Sequence, residues 1–177
     1  DLAGNPEIIL YRAYAAGVVT HSLMTFNNTE PEKSSPSRSL IESYLMQNGL
    51  PITQEGGNAM YQGDKDFKKE MMKRDPRLYA TIDTTELRLP SVAAVYATSG
   101  YFANRFVNPT LINAAGGKSY TNITDAPVMK LNEVMMNYIE AAAELATLGK
   151  YTLTQADFDL TINALRKRPS TNMPALQ

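Results

Sequence analysis

Leu131-Asn132-Glu133-Val134-Met135-Met136-Asn137-Tyr138-Ile139-Glu140-Ala141-Ala142-Ala143-Glu144-Leu145-Ala146-Thr147-Leu148 is the stretch on which the reading of the fold turns. Leu131, Val134/Met135, Tyr138, Ala141/Ala142, Leu145 and Leu148 recur every three or four residues, which predicts a helix with one apolar stripe. Glu133, Asn137, Glu140 and Glu144 keep the same rhythm about half a turn away, so the opposite face reads as polar. Asp125 is placed to cap the start, with Pro127 tolerated in the first turn, and Gly149 to end the helix. Thr154 then caps a second helix with inner face Phe158, Ile162 and Leu165. Pro169 closes it behind Arg166, Lys167 and Arg168, cations that the helix dipole favours there. Two amphipathic helices joined by a short turn predict an αα-hairpin.

Working back from the hairpin, residues 7–14 are rich in β-formers and read as a buried strand. Residues 17–33 read as loop, with some strand in 18–20. Ser39 with Glu42 spells a capping box for a short helix whose Leu40, Ile41, Tyr44 and Leu45 face the core. Asn48-Gly49 and Pro51 end it. Residues 64–74 predict a charged surface helix with Phe67 and Met71 as its buried edge and Glu70–Arg74 as an i,i+4 pair. Asp75-Pro76 breaks that helix, and residues 78–82 alternate as a half-buried strand. Residues 83–126 read mostly as loop, with short strands near 92–96 and 102–107, a long irregular stretch suited to binding. The fold class expected is mainly α, with irregular loops and a few short strands.

The 177 residues suffice for a single domain with a real core. Hydrophobic residues make up 44 % and charged residues 20 %, an ordinary globular balance that argues against wholesale disorder. A net charge of −1 provides no basic field for a phosphate backbone or an anionic bilayer, so nucleic acid is not an expected partner. With no cysteine, thiol catalysis, disulfides and Cys-ligated zinc are excluded. No apolar run reaches the roughly 18 residues of a membrane span. The chain opens at Asp1 and is read as an internal piece of something longer. Its lone histidine, His21, has no second His or Cys for metal binding. Glu133, Glu140 and Glu144 share a helical face that reads as solvated, and nothing selects the carboxylate pair that glycoside hydrolysis needs. Gly116-Gly117-Lys118-Ser119 matches the end of a phosphate-binding loop, but Ile112 stands where its first glycine belongs. Neither catalytic residues nor a metal or cofactor site is expected. Tyrosines in predicted loops or strand ends (Tyr14, Tyr61, Tyr96, Tyr101, Tyr120) remain as candidates to stack on a sugar or grip a peptide.

Four segments carry a resemblance. They are Pro36-Ser37-Arg38-Ser39-Leu40-Ile41-Glu42-Ser43-Tyr44 with Met46, Asn48 and Gly49; Arg74-Asp75-Pro76-Arg77; Gly100-Tyr101-Phe102 with Arg105-Phe106-Val107; and Asn132-Glu133, Glu140-Ala141 and Glu144-Leu145 leading to Asn163-Ala164-Leu165-Arg166-Lys167-Arg168. In order and spacing the chain resembles SusD/RagB proteins, surface lipoproteins that hand glycans or peptides to an outer-membrane transporter in Bacteroidetes. Lys130 and Asn132 stand where Arg and Ala are commoner in that family, and Ala146 replaces its usual Gly.

The resemblance implies a SusD-like domain fragment over residues 1–177, with a loop-rich ligand-binding part at 1–126 and a TPR-like helical hairpin at 127–168. The family's N-terminal TPR-like helices and lipid-bearing cysteine would precede this window, leaving the hairpin's apolar stripes exposed unless another chain covers them. The implied function is non-enzymatic capture of glycan or peptide nutrients at the cell surface. Delivery would be to a SusC-like TonB-dependent transporter, with membrane attachment only through a lipid anchor outside this chain. The alternative is a TPR-like interaction scaffold without a ligand site. The family offers no binding motif to carry over residue by residue. The candidate ligand residues are therefore Tyr14, His21, Phe26 and Asn28 in the loop after the first strand, then Tyr61 and Tyr101.

Overall fold

The computed structural model describes residues 2–24, 35–84, 99–106, 108, 110–111, 114–118 and 120–177. Regular structure is mainly helical, with one two-stranded antiparallel sheet among the described residues. The chain divides into two units, residues 1–12 with 125–177 and residues 13–124.

In the first unit, β1 (Ile8–Arg12) pairs with β2 (Ala126–Lys130), Ile8 opposite Lys130 and Arg12 opposite Ala126. The expected buried strand is thus shorter and half exposed, with Ile9 and Leu10 each 53 % accessible. This pairing also corrects the expected start of the long helix. Residues 126–130 spend their backbone groups on β1, and α4 (Leu131–Thr147) begins only after them. Asp125 does not cap it; its carboxylate accepts from Leu2 N–H at 3.1 Å. Pro127 sits in a two-stranded ribbon, where a missing N–H is tolerated. The C-terminus follows expectation. Gly149 is left-handed (φ 66°), and Gly149 N–H to Ala146 C=O and Lys150 N–H to Leu145 C=O form a Schellman stop.

The buried face of α4 is Ile139 and Ala142, flanked by half-buried Met135 and Ala146. Leu131, Val134, Tyr138, Leu145 and Leu148, most of the stripe read from sequence, are exposed. The helix carries apolar residues in two adjacent rows, and packing selects the row one position round. The second helix of the hairpin is broken into α5 (Gln155–Leu160) and α6 (Ile162–Arg166). At the break, the Thr161 hydroxyl donates to Asp157 C=O at 2.6 Å, the competition by which Ser and Thr bend helices. Asp157 anchors the corner. Its carboxylate accepts from Thr154 N–H (2.9 Å) and hydroxyl (2.7 Å) and from the Tyr151 (2.8 Å) and Tyr138 (2.9 Å) hydroxyls. These donors hold its pKa well below the usual carboxylate range, Thr154 foremost.

In the second unit, three short helices surround one core. They are α1 (Arg38–Ser43), α2 (Phe67–Met71) and α3 (Pro76–Thr81). Ile41, Met71, Leu78 and Ile82 form the buried cluster, with Tyr44, Phe67, Tyr79 and Tyr101 packed around it. The cap of α1 is Ser37, whose hydroxyl accepts from Leu40 N–H at 3.2 Å, and not the expected Ser39 box. The helix ends at Ser43, before Asn48-Gly49, although Gly49 does take the left-handed conformation (φ 80°). Residues 78–81 are corrected from strand to helix, with Ile82 left extended, because Pro76 occupies the first helical position and the Asp75 carboxylate caps Arg77 N–H at 2.9 Å. The proline that ends one element therefore begins the next. Of the short strands expected in 83–126, 92–96 lies outside the described residues, and 102–106 contributes only an Ile82–Ala103 bridge before a turn.

Arg74 is also corrected. α2 stops at Met71, Lys73 turns left-handed (φ 57°), and Arg74 is fully buried rather than paired on a helix surface with the Glu70 carboxylate. Its guanidinium donates to the carbonyls of Ile41 (2.5 Å), Tyr44 (3.0 Å) and Glu70 (3.3 Å). Its backbone faces Met46 in a short antiparallel bridge. Burial lowers its pKa from the ordinary arginine value. Arg77, by contrast, is half exposed and chelates the buried Asp75 carboxylate, with Nη2–Oδ2 at 2.5 Å. Replacing a buried donor leaves each abandoned carbonyl a penalty of about 1–3 kcal/mol. Arg74→Met is therefore expected to cost at least ~3 kcal/mol, and Arg77→Ala about 1.5–2 kcal/mol, the low end for hydrogen bonds to charged groups because Arg77 is half exposed. Urea midpoints of the two variants test this order, and a larger loss for Arg77→Ala contradicts it.

Candidate functional site

The expected ligand residues fall into separate groups within residues 13–124. Tyr14 and His21 meet edge to face, with ring centroids 4.5 Å apart, and Phe106 adds a second ring at 6.4 Å from His21. Both His21 nitrogens are engaged. Nδ1 accepts from Leu23 N–H (3.1 Å), so Nε2 carries the proton that it donates to Thr124 C=O (2.8 Å). Tyr61 and Tyr101 belong to the surroundings of Arg74. The Tyr61 ring centroid lies 5.9 Å from its guanidinium carbon, and the Tyr101 hydroxyl donates to Glu70 Oε1 at 2.7 Å. Burial raises both phenol pKa values, and the Glu70 bond adds to the shift at Tyr101. Phe26, Asn28 and Tyr96 lie outside the described residues.

Tyr120 is placed differently. It is 78 % exposed and holds a left-handed backbone (φ 59°), a conformation that costs an aromatic residue energy. Two hydroxyls pin it there. Ser22 Oγ accepts from Tyr120 N–H at 2.8 Å, and Thr20 Oγ1 donates to Tyr120 C=O at 2.5 Å. Tyr120 lines a cleft of about 470 Å³ together with residues 16, 17, 20, 115, 116, 121 and 123, within the range of roughly 300–1,000 Å³ usual for small-ligand sites. The wall is largely apolar (Ala16, Ala115, Ile123), with Thr20, Thr121 and the Tyr120 phenol as its hydroxyl groups. Another cleft, beside Phe67 and Tyr79, measures only about 200 Å³.

Asn122, which nothing in the sequence singled out, holds the walls together. It is fully buried; its backbone pairs with His21 in both directions (3.0 Å) and its side-chain oxygen accepts from Met24 N–H at 3.0 Å. Its amide donates to the carbonyls of Gly116 (3.1 Å) and Lys118 (2.9 Å). The buried amide is satisfied on both ends, so the turn Ala115–Gly117 is fixed against residues 21–24. The Gly-Gly pair in that turn has a packing reason. A Cβ on Gly117 would lie 1.8 Å from Leu111 O and 2.6 Å from the Met24 methyl, whereas one on Gly116 would meet Ile123 at an ordinary 3.6 Å.

Among the described residues no group of three or more His, Cys, Asp or Glu could hold a metal, and no helix is long and apolar enough to cross a membrane. The arrangement offers an aromatic face, a few hydroxyls and an apolar floor, which suit binding better than bond-breaking. From the glycine geometry, Gly117→Ala is expected to destabilise by about 1–3 kcal/mol or more, the usual cost of overpacking. Gly116→Ala should stay within about 1 kcal/mol, since its Cβ fits and alanine restricts the unfolded chain. Thermal melts of the pair decide it; equal losses refute the close-approach reading.

A model of the SusD family matches residues 6–89, the part that contains the Arg74–Arg77 junction. No curated protein matches the sequence. The fold is similar to that of a SusD-like carbohydrate-binding protein from Bacteroides fragilis, with a TM-score of 0.63 and 25 % sequence identity. That match covers 97 % of this chain and 35 % of the other, so this chain spans about a third of that protein's length. The match over residues 6–89 and the similar fold across nearly all of the chain both support a place in the SusD/RagB family.

Proposed function

We propose that this chain forms part of a non-enzymatic, surface-anchored outer-membrane protein that captures glycans and passes them to a SusC-like TonB-dependent transporter. The observation that carries the binding reading is Tyr120, an exposed aromatic residue that lines a cleft, its strained backbone held by two hydroxyl contacts. Strain of that kind persists where surroundings over-determine it, as at ligand clamps. An exposed aromatic face stacks on the apolar face of a sugar ring. The carbohydrate-binding description of the similar B. fragilis protein favours glycan over peptide. In this reading the ligand site belongs to the loop-rich part, and the C-terminal hairpin serves as scaffold.

Tyr120→Gly separates stacking from folding, because glycine adopts φ > 0 freely. In calorimetric titrations of the full-length protein with neutral oligosaccharides, the variant should lose about 0.5–1.5 kcal/mol of affinity, the usual worth of an aromatic contact. That is roughly 2- to 12-fold in Kd, with thermal stability unchanged or raised. Undiminished binding would move the site elsewhere.

The transporter reading has its own test. Affinity-tagged full-length protein, purified from detergent-solubilised outer membranes, should bring a TonB-dependent barrel with it. Recovery free of any such barrel would favour a ligand-binding protein that works alone.

A further inference from the structure

We infer that Ser22 is a positioning residue: it lies outside the wall of the Tyr120 cleft, yet its hydroxyl sets the cleft's affinity for ligand through the backbone of Tyr120. The inference rests on the reading of this cleft as the ligand site. Ser22 is buried, with 7 % of its surface accessible, and is not among the described residues that line the cleft. Its Oγ accepts from Tyr120 N–H at 2.8 Å, across 98 positions of the chain.

That bond falls where it controls the ring. The direction of a Cα–Cβ bond relative to the preceding peptide plane follows φ, so whatever fixes φ at Tyr120 also aims its side chain. At φ 59° an aromatic residue is held away from the conformations it prefers. Ser22 fixes the N–H on the φ side, and Thr20 Oγ1 donates to the C=O on the ψ side at 2.5 Å. Without the Ser22 acceptor the N–H turns to water, φ relaxes to negative values, and the ring loses its fixed place at the cleft.

Ser22 itself is anchored independently of its side chain. On one side, His21 pairs its backbone with Asn122 in both directions at 3.0 Å. On the other, Leu23 N–H donates to His21 Nδ1 (3.1 Å) and Met24 N–H to Asn122 Oδ1 (3.0 Å). Removing the Ser22 oxygen therefore releases Tyr120 and leaves residues 21–24 in place. The variant gives up one hydrogen bond and sheds the strain that the bond sustained, two effects of opposite sign on stability. Ligand binding must then order Tyr120 anew, and affinity falls for want of preorganisation.

The test uses full-length protein, titrated calorimetrically with four neutral probes: cellohexaose, maltohexaose, mannohexaose and xylohexaose. Wild type, Ser22→Ala, Tyr120→Gly and the double variant form a cycle that isolates the coupling between the two positions. At least one hexaose is expected to bind wild type. Ser22→Ala should weaken it by about 2- to 12-fold, the worth of one neutral hydrogen bond, with little change in melting temperature. In the Tyr120→Gly background, which has no ring to place, Ser22→Ala should change Kd by less than about twofold, the scatter of independent sites. Amide exchange is the second readout. Tyr120 N–H should exchange faster in Ser22→Ala, while the His21 and Asn122 N–H groups keep their wild-type rates. Unchanged affinity, or unchanged exchange at Tyr120, overturns the positioning role, and a loss on Tyr120→Gly then still keeps the cleft as the site. An equal loss in both backgrounds also overturns it, since Ser22 would act by another route. Faster exchange at His21 and Asn122 with a lowered melting temperature makes Ser22 structural only and overturns it too. Binding indifferent to Tyr120→Gly, or no binding by any hexaose, overturns the cleft as the site, and the inference falls with it.

Discussion

A fully buried guanidinium sets the terms for residues 13–124. Arg74 has left water for an environment that lowers its pKa, and a cation so placed is tolerable only if its donors are met. Its two terminal nitrogens are met by carbonyls at the end of α1 and on α2, while Nε stays buried without a partner. One side chain thus satisfies two helix ends while its backbone bridges to Met46. The next residue, Asp75, starts α3 and is chelated by Arg77. The core of Ile41, Met71, Leu78 and Ile82 closes around this junction because these contacts hold the three short helices in register. Helices of five or six residues have little stability of their own. Their persistence here is a tertiary effect.

Asn122 plays the corresponding part near the cleft, with a neutral group instead of a charge. Its amide is spent on turn carbonyls and its oxygen on Met24 N–H, 98 residues away along the chain. Such a satisfied buried amide fixes loop geometry that hydrophobic packing, being non-directional, would leave loose. The rigidity is what allows Tyr120 to remain in a costly backbone conformation with its ring in solvent.

Much of the helical hairpin was legible because its signals are local. The 3.6-residue rhythm and Gly149 marked the body and end of α4. Its start was misread, since the Asp125 and Pro127 signals were overridden when residues 126–130 paired with β1. Tyr120 was visible as a loop tyrosine, but nothing in its neighbours announced a left-handed backbone. His21, the obvious candidate by chemistry, has its ring nitrogens engaged by Leu23 and Thr124. Asn122 could have been found only by knowing which loops come together.

By itself, the sequence determined composition-level exclusions, the existence and C-terminal stop of α4, and a set of motifs that resemble one family. Those rest on residue chemistry and on hydrogen bonds reaching no further than one helical turn. The tertiary structure alone decided which row of α4 is buried, that residues 76–81 are helix, what Arg74 bonds to, and that Tyr120 lines a cleft held by Asn122. Each depends on partners far apart in the chain, brought together by burial and by the need to satisfy every buried polar group. A local pattern offers several acceptable solutions, and long-range packing chooses among them.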